Sequence, residues 1–422
     1  MLQIGVYGSG FLGTVISACL ADFGTPVFCC DDDTDRLLTL AQGTTPFHEK
    51  NLEEIIRRNV RTSRLVYSSE SDKLVPHARV LFYAADGDAQ LKADCLRLAR
   101  LMSKEALLVI VTPAAVGTAS RVEQMLADEK LPVTLVSQPL SLTGGCAVED
   151  FNWPDRIILG TNSQCAVKTL KQTYHPLVMR GVPVVVTNHE TAELVRQAST
   201  AFLATKISFI NELAGICEHV NADAVHLGLA LGLDKRIAPR CLQPGAGFGG
   251  PFAESDMDAL AKLAEENDVE LKVLNAAREV NRSLSERVVE KIARAVHSVS
   301  GKEVGILGLA FKPNTNSVAG SSAIRLARSL ISQGASVRAY DPVAIPEAQA
   351  ELSGRVRYCD SAYAVAEGVD ALVVGTAWPE FRSLDFERIF KMLKHPVIVD
   401  TKNLLDAQQM RQIGFEYLGV GR

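Results

Sequence analysis

The chain has no apolar stretch long enough to span a bilayer, and its first residues offer neither a basic segment nor the apolar core of a secretion signal. A cytoplasmic location is therefore expected. Charge is also sparse and dispersed: charged residues make up 22% of the 422, the formal net charge is -5, and it is not gathered into tails. That excludes the electrostatic footprint of a nucleic-acid binder or of a protein drawn to an anionic membrane, and leaves a small molecule as the expected partner. The nine cysteines are odd in number and scattered, with no CxxC pair and no His/Cys cluster at metal-ligand spacing. Reduced thiols and no metal site are expected.

What is present, first, is length. A chain of this size should hold two or three cores, because single cores stop growing at roughly 250 to 300 residues. An apolar run from Leu2 to Tyr7 leads into a glycine-rich turn, Gly8 to Gly13, then a helical pattern through Val15, Ile16, Ala18, Cys19 and Leu20, then a second apolar run from Pro26 to Cys30. Further strands are expected around Val80–Ala84, Leu107–Val111, Val133–Val136 and Arg156–Gly160, with helical stretches between them. Alternation of this kind argues for a parallel sheet covered on both faces. From His189 to about Leu213 the pattern becomes one long helix without Pro or Gly, and more helix follows around Met257–Glu266 and Leu271–Val296. A fresh strand-then-glycine start at Lys302–Gly308, with apolar runs at Ser336–Tyr340, Ala371–Val374 and Pro396–Val399, predicts a second parallel sheet. The reading is an α/β chain of two Rossmann-like, doubly wound domains, residues 1–188 and 299–422, joined by a helical middle, 189–298.

Gly8, Gly10 and Gly13 have the GxGxxG spacing between a strand and a helix. The first glycine permits the tight turn, the second lets backbone approach a pyrophosphate, and the third lets helix and strand pack closely. Phe11 and Leu12 complete the turn, and the helix start supplies amide donors for phosphate. Asp31, at the end of the second strand, is placed to accept hydrogen bonds from a ribose 2'-hydroxyl and would repel a 2'-phosphate. NAD is therefore expected rather than NADP. The alternative is a turn that only packs a helix on a sheet, with Asp31 a solvated loop acid.

Four segments then go together. Pro244–Asp256 resembles the PGxGFGGSCFPKD loop of the UDP-glucose/GDP-mannose dehydrogenase family, Glu193–Leu213 its central helix, Gly308–Thr315 its GLAFKPxTD segment, and Tyr340-Asp341-Pro342 its YDP. The resemblance extends along nearly the whole chain. It implies oxidation of a nucleotide sugar's C6 alcohol to an acid by two hydride transfers to NAD+, in a homodimer, with a cysteine thiolate capturing the intermediate aldehyde. Phe252 stands where the family keeps that cysteine, and an aromatic ring cannot form the adduct. Arg196 and Thr200 replace the family's Lys and Asn, and Leu140 and Gly144 replace two glutamates. Ser255 replaces a lysine and Ala319 an arginine, while Asp256 is retained, either as a catalytic carboxylate or as the N-cap of a helix beginning near Met257. Cys146 and Cys241 are the thiols nearest in sequence to the altered loops.

Positions that the resemblance assigns to binding are kept better. Thr112 opens the segment matching the family's STVPxGT and is expected beside the cofactor. Arg236 matches an arginine that reaches across the dimer, Phe248 and Gly249 the loop over the sugar, and Phe311 with Lys312 a substrate clamp. Lys402 takes the place of a phosphate-binding arginine, keeping charge without bidentate geometry. The expectation is a protein that binds NAD and a UDP-sugar with little or no four-electron oxidation. The alternatives are an active dehydrogenase with a divergent site, or a single alcohol-to-aldehyde step.

Overall fold

A computed structural model describes residues 3–87, 89–250, 253–352 and 354–422. By internal packing the chain divides into two compact units, residues 1–198 and 199–422, the division falling inside the long helix His189–Val220.

The first unit holds eight strands: β1 (Ile4–Tyr7), β2 (Val27–Cys30), β3 (Leu65–Ser68), β4 (Val80–Tyr83), β5 (Leu107–Ile110), β6 (Thr134–Ser137), β7 (Ile157–Gly160) and β8 (Val184–Thr187). Their spatial order is β3-β2-β1-β4-β5-β6-β7-β8. Six run parallel, in the doubly wound order whose direction reverses between β1 and β4, where ligands of such sheets bind. The expectation of a wholly parallel sheet needs correction at one edge. β7 meets β6 antiparallel through the single pair Ser137–Gly160, and β8 follows β7 in parallel.

Alternate residues of each central strand feed different cores. Val6, Phe82 and Val109 join one cluster, and Tyr7, Leu81, Tyr83 and Leu108 join the other. A strand buried on both faces must read as a continuous apolar run, which is why these strands were visible in the sequence. Each fully buried Val, Leu, Ile or Phe contributes about 1.5–3 kcal/mol. The helix Phe11–Asp22 buries ten consecutive residues, Leu12 to Ala21, so its start is rigidly set against the β1 turn.

The second unit repeats the pattern with β9 (Glu303–Leu307), β10 (Ser336–Tyr340), β11 (Val356–Tyr358), β12 (Ala371–Val374), β13 (Val397–Asp400) and β14 (Glu416–Gly419), ordered β11-β10-β9-β12-β13-β14 and all parallel. It also carries the helices Ala253–Glu266 and Lys272–Val296. The latter buries Leu274, Ala277, Asn281, Leu284, Val288, Ile292 and Val296 at intervals of three or four, a stripe along one face. Among the described residues no helix is long and apolar enough to cross a membrane.

Candidate functional site

In the first unit the glycine turn has the shape that its spacing predicts. Gly8 adopts φ +106°, and a side chain there would collide with the backbone of Ala84 and Ala85. A Cβ on Gly13 would strike the Gly8 carbonyl, and one on Gly10 would strike the Asp86 carboxylate. The helix begins at Phe11 with no side-chain cap, leaving its first amides to a ligand or to water. Asp31 is fixed beside them: Ser9 Oγ donates to its Oδ2 at 2.7 Å, the Ser9 amide donates to the same oxygen, and Asp33 N donates to Oδ1 at 2.9 Å. Burial works to raise the Asp31 pKa, but the donors from Asp33 and Ser9, with Arg36 nearby, leave it lowered. The carboxylate is an ionised acceptor at neutral pH, as ribose binding requires.

The neighbouring side chains serve the frame of this turn. Thr112 is buried, and its Oγ1 donates to the Ala85 carbonyl at 2.8 Å, closing the loop after β4. Phe11 packs edge-on against Phe47 with centroids 5.3 Å apart, while Leu12 is buried in the core. This cradle, which any Cβ would fill, fits a dinucleotide pyrophosphate at Gly10 and its ribose at Asp31. Cys29 and Cys30 are buried, and burial pushes both thiols up, so they are inert strand residues.

Also in the first unit, Arg196 lines a small crevice with Thr112, Pro113, Ser137, Pro139, Glu193 and Gln197. Glu193's task is not legible in its local pattern. Its carboxylate accepts from Gly117 N at 2.6 Å and Ala119 N at 2.9 Å, capping the helix Thr118–Asp128. Burial pushes Glu193 up against those two donors. The loop holding Leu140 and Gly144 is tied by Glu49, which accepts from Gly145 N at 2.5 Å and Ala147 N at 2.9 Å. Cys146 Sγ lies 3.7 Å from Asp150 Oδ2, at the start of the helix Ala147–Asn152.

The second unit gathers the glycine loop, the turn after β9 and the turn after β13. Gly245 N donates to Asn211 Oδ1 at 2.8 Å, Ala246 N to the Thr401 carbonyl at 3.1 Å, and Phe248 N to Asn281 Oδ1 at 2.9 Å. The Phe248 carbonyl accepts from Arg325 Nη2 at 3.1 Å and Asn281 Nδ2 at 3.3 Å. Gly249 is pressed against the Gly320 carbonyl, and Gly250, at φ +100°, abuts the Phe311 ring. Asn211, Asn281 and Arg325 escaped the sequence reading because nothing in their local pattern marks them as loop clamps.

Two cations stand over this turn. Lys402 Nζ donates to Ser322 Oγ at 3.1 Å, and burial, then repulsion from Arg325, against attraction from Asp400, pushes it down to about 8. Lys312 Nζ lies 5.8 Å from the centroid of the Phe311 ring. Asp341, which ends β10 as Asp31 ends β2, is buried and saturated: it accepts from Leu309 N, Ala310 N, Val343 N, Ala344 N and Trp378 Nε1. It has no capacity left for a ribose, so the two halves are not equivalent ligand sites.

Arg236 is not brought to this turn. Its side chain is 88% exposed and forms a bidentate pair with Asp234, the shorter contact 2.6 Å. The N-cap reading of Asp256 is corrected: the helix begins at Ala253, so Asp256 lies inside its first turn, buried, and accepts from Thr200 Oγ1 at 2.9 Å. Phe252 lies outside the described residues. Cys241 is half-buried at φ +64°, and burial pushes its thiol up in spite of Lys206 and Arg240. Among the described residues no group of three or more His, Cys, Asp or Glu could hold a metal ion.

Three family models match the chain in order. They are the NAD binding domain of the UDP-glucose/GDP-mannose dehydrogenase family at residues 2–178, its central domain at 190–283, and its UDP binding domain at 305–407. Among curated relatives, UDP-glucose 6-dehydrogenase TuaD of Bacillus subtilis is 34% identical, covering 100% of this chain and 94% of the relative. A UDP-glucose 6-dehydrogenase of Rhizobium meliloti is 35% identical with 100% of both covered. A solved UDP-glucose dehydrogenase from Pyrobaculum islandicum superposes with a TM-score of 0.90 at 29% identity, covering 100% of this chain and 98% of that one. With its NAD-binding turn, its helical middle and its UDP-binding half each matched in order, the chain belongs to the UDP-glucose/GDP-mannose dehydrogenase family.

Proposed function

We propose that this protein binds NAD and a UDP-sugar but carries out little or no four-electron oxidation. The observation that carries this reading is Phe252, an aromatic residue where the family's loop has its thiol. Bound NAD+ would supply a hydride acceptor. The chain's own residues supply the cradle for it at Gly8–Gly13 and Asp31, and the clamped loop with Lys402, Lys312 and Arg325 for a nucleotide diphosphate. With Phe252 at that position, the loop Pro244–Asp256 has no thiol to hold an aldehyde between two hydride transfers. Cys241, with its raised thiol, does not support that role.

A second reading, an active UDP-glucose-type 6-dehydrogenase with a divergent site, is favoured by one contact: the buried Asp256 carboxylate is still aligned by Thr200. The two readings separate on NADH absorbance when UDP-glucose, UDP-N-acetylglucosamine, UDP-galactose or GDP-mannose is added with NAD+. Sugar binding by calorimetry without NADH is expected. Two equivalents of NADH per sugar would establish the second reading, and one would establish a single alcohol-to-aldehyde step. Phe252→Cys alone is expected to form no sugar acid, because Arg196, Thr200 and Leu140 also depart from the family pattern.

The working unit we infer is a homodimer. The helix His189–Val220 leaves Phe202, Phe209 and Ile216 exposed at 66%, 50% and 56%, seven residues apart, which supports a second copy covering them.

A further inference from the structure

The NAD cradle contains one group that its ligand does not want. Asp86 follows β4 in the turn facing the glycine motif, and both of its carboxylate oxygens and its Cγ lie inside contact distance of where a Cβ on Gly10 would stand. Gly10 is the second glycine of the motif, the position where backbone must be bare so that a pyrophosphate can approach. The space freed by that missing side chain is thus taken up by a carboxylate. The carboxylate is also tethered: Arg36 Nη1 lies 3.1 Å from Asp86 Oδ2, and Arg36 Nη2 lies 3.0 Å from Asp33 Oδ2. The Asp86 side chain is 64% exposed, so it has room to swing into solvent.

We propose that Asp86 is an anionic gate on the dinucleotide site, held over Gly10 by Arg36, and that a pyrophosphate binds only when this carboxylate withdraws. The inference rests on the reading of Gly8–Gly13 and Asp31 as the NAD site. Two like charges cannot occupy the space beside Gly10 together. The Asp86 carboxylate therefore competes with the diphosphate for that space, and it lowers affinity for any ligand with phosphate at that point. It does not lower affinity for the adenosine part, which is placed by Asp31. The gate is specific to one segment of the ligand, and this makes it testable by dissecting the ligand.

The experiment is calorimetric titration of NAD+, ADP-ribose and adenosine into the full-length protein and its Asp86→Ala and Asp86→Asn variants, each first checked for an unchanged melting temperature. Both variants are expected to bind NAD+ and ADP-ribose about five- to tenfold more tightly than the parent, with adenosine unchanged. Asn keeps the shape and removes the charge, so a gain in both variants assigns the effect to charge. An unchanged or weaker affinity for NAD+ in both variants, with the parent binding NAD+, would overturn the gate and leave the NAD site standing. An equal gain for adenosine would also overturn it, because the effect would then not lie at the pyrophosphate. Absence of NAD+ binding in all three proteins would overturn the gate together with the reading of the cradle on which it rests.

Discussion

Lys402 shows how a binding residue can cost stability. It is enclosed beside Arg325, which repels it, and only Asp400 opposes, so its pKa falls from 10.5 to about 8. A lysine whose folded pKa lies below its unfolded value opposes folding fully at pH below about 8, and the penalty disappears as pH rises to about 10.5, because over that range the unfolded chain holds a proton that the folded one has lost. Lys402→Met is therefore expected to raise the melting temperature at pH 7, by at most about 3 kcal/mol of stability and less where water reaches the side chain. The gain should shrink steadily between pH 8 and 10.5. A diphosphate would restore the proton, so UDP affinity of the parent should weaken as pH rises through about 8, and the variant should lose both the affinity and that pH dependence. A gain that stays constant from pH 7 to 10.5 would show that Lys402 is not the titrating group.

At the scale of elements, the central strands were legible because they are buried on both faces and read as unbroken apolar runs, while β3, β8, β11 and β14 were not. Those four lie at or near sheet edges, where water covers part of each strand. β8 has no buried residue, and β3 and β11 have one each. The glycine loop was legible by its own residues but its clamps were not, since Asn281 and Asn211 act from helices distant in sequence. Asn281 satisfies both the N–H and the C=O of Phe248, and removing it leaves a buried amide unpaired, at about 1–3 kcal/mol. Asn281→Ala is expected to lower the melting temperature by several degrees and weaken UDP binding at least tenfold, with NAD+ affinity unchanged. Parental UDP affinity in a destabilised variant would show that the loop holds its shape without this clamp.

At the scale of the molecule, the resemblance implies a homodimer, and the proposal that the long helix His189–Val220 carries its contact rests on one feature. Positions seven apart lie on one face of a helix, so Phe202, Phe209 and Ile216 form a stripe, and exposed apolar stripes of this kind mark surfaces that are covered in the working protein. Leu229 and Leu233 on the helix Ala224–Leu233 are exposed at 63% and 77%, and the spacing of four puts them on a common face as well. Burying a Phe contributes about 1.5–3 kcal/mol, and in a two-fold contact each residue counts twice, so the stripe alone supplies a strong drive to pair. Replacing its central member by a charge reverses that drive twice over. Phe209→Glu is expected to convert a dimer into monomers in sedimentation at micromolar concentration, without lowering the melting temperature of the second unit's sheet, since Phe209 is half exposed and lies outside the buried clusters. A parent protein that sediments as a monomer at every concentration would remove the second copy as the cover of this stripe, and with it the expectation that Arg236, exposed and paired with Asp234, serves a partner's nucleotide.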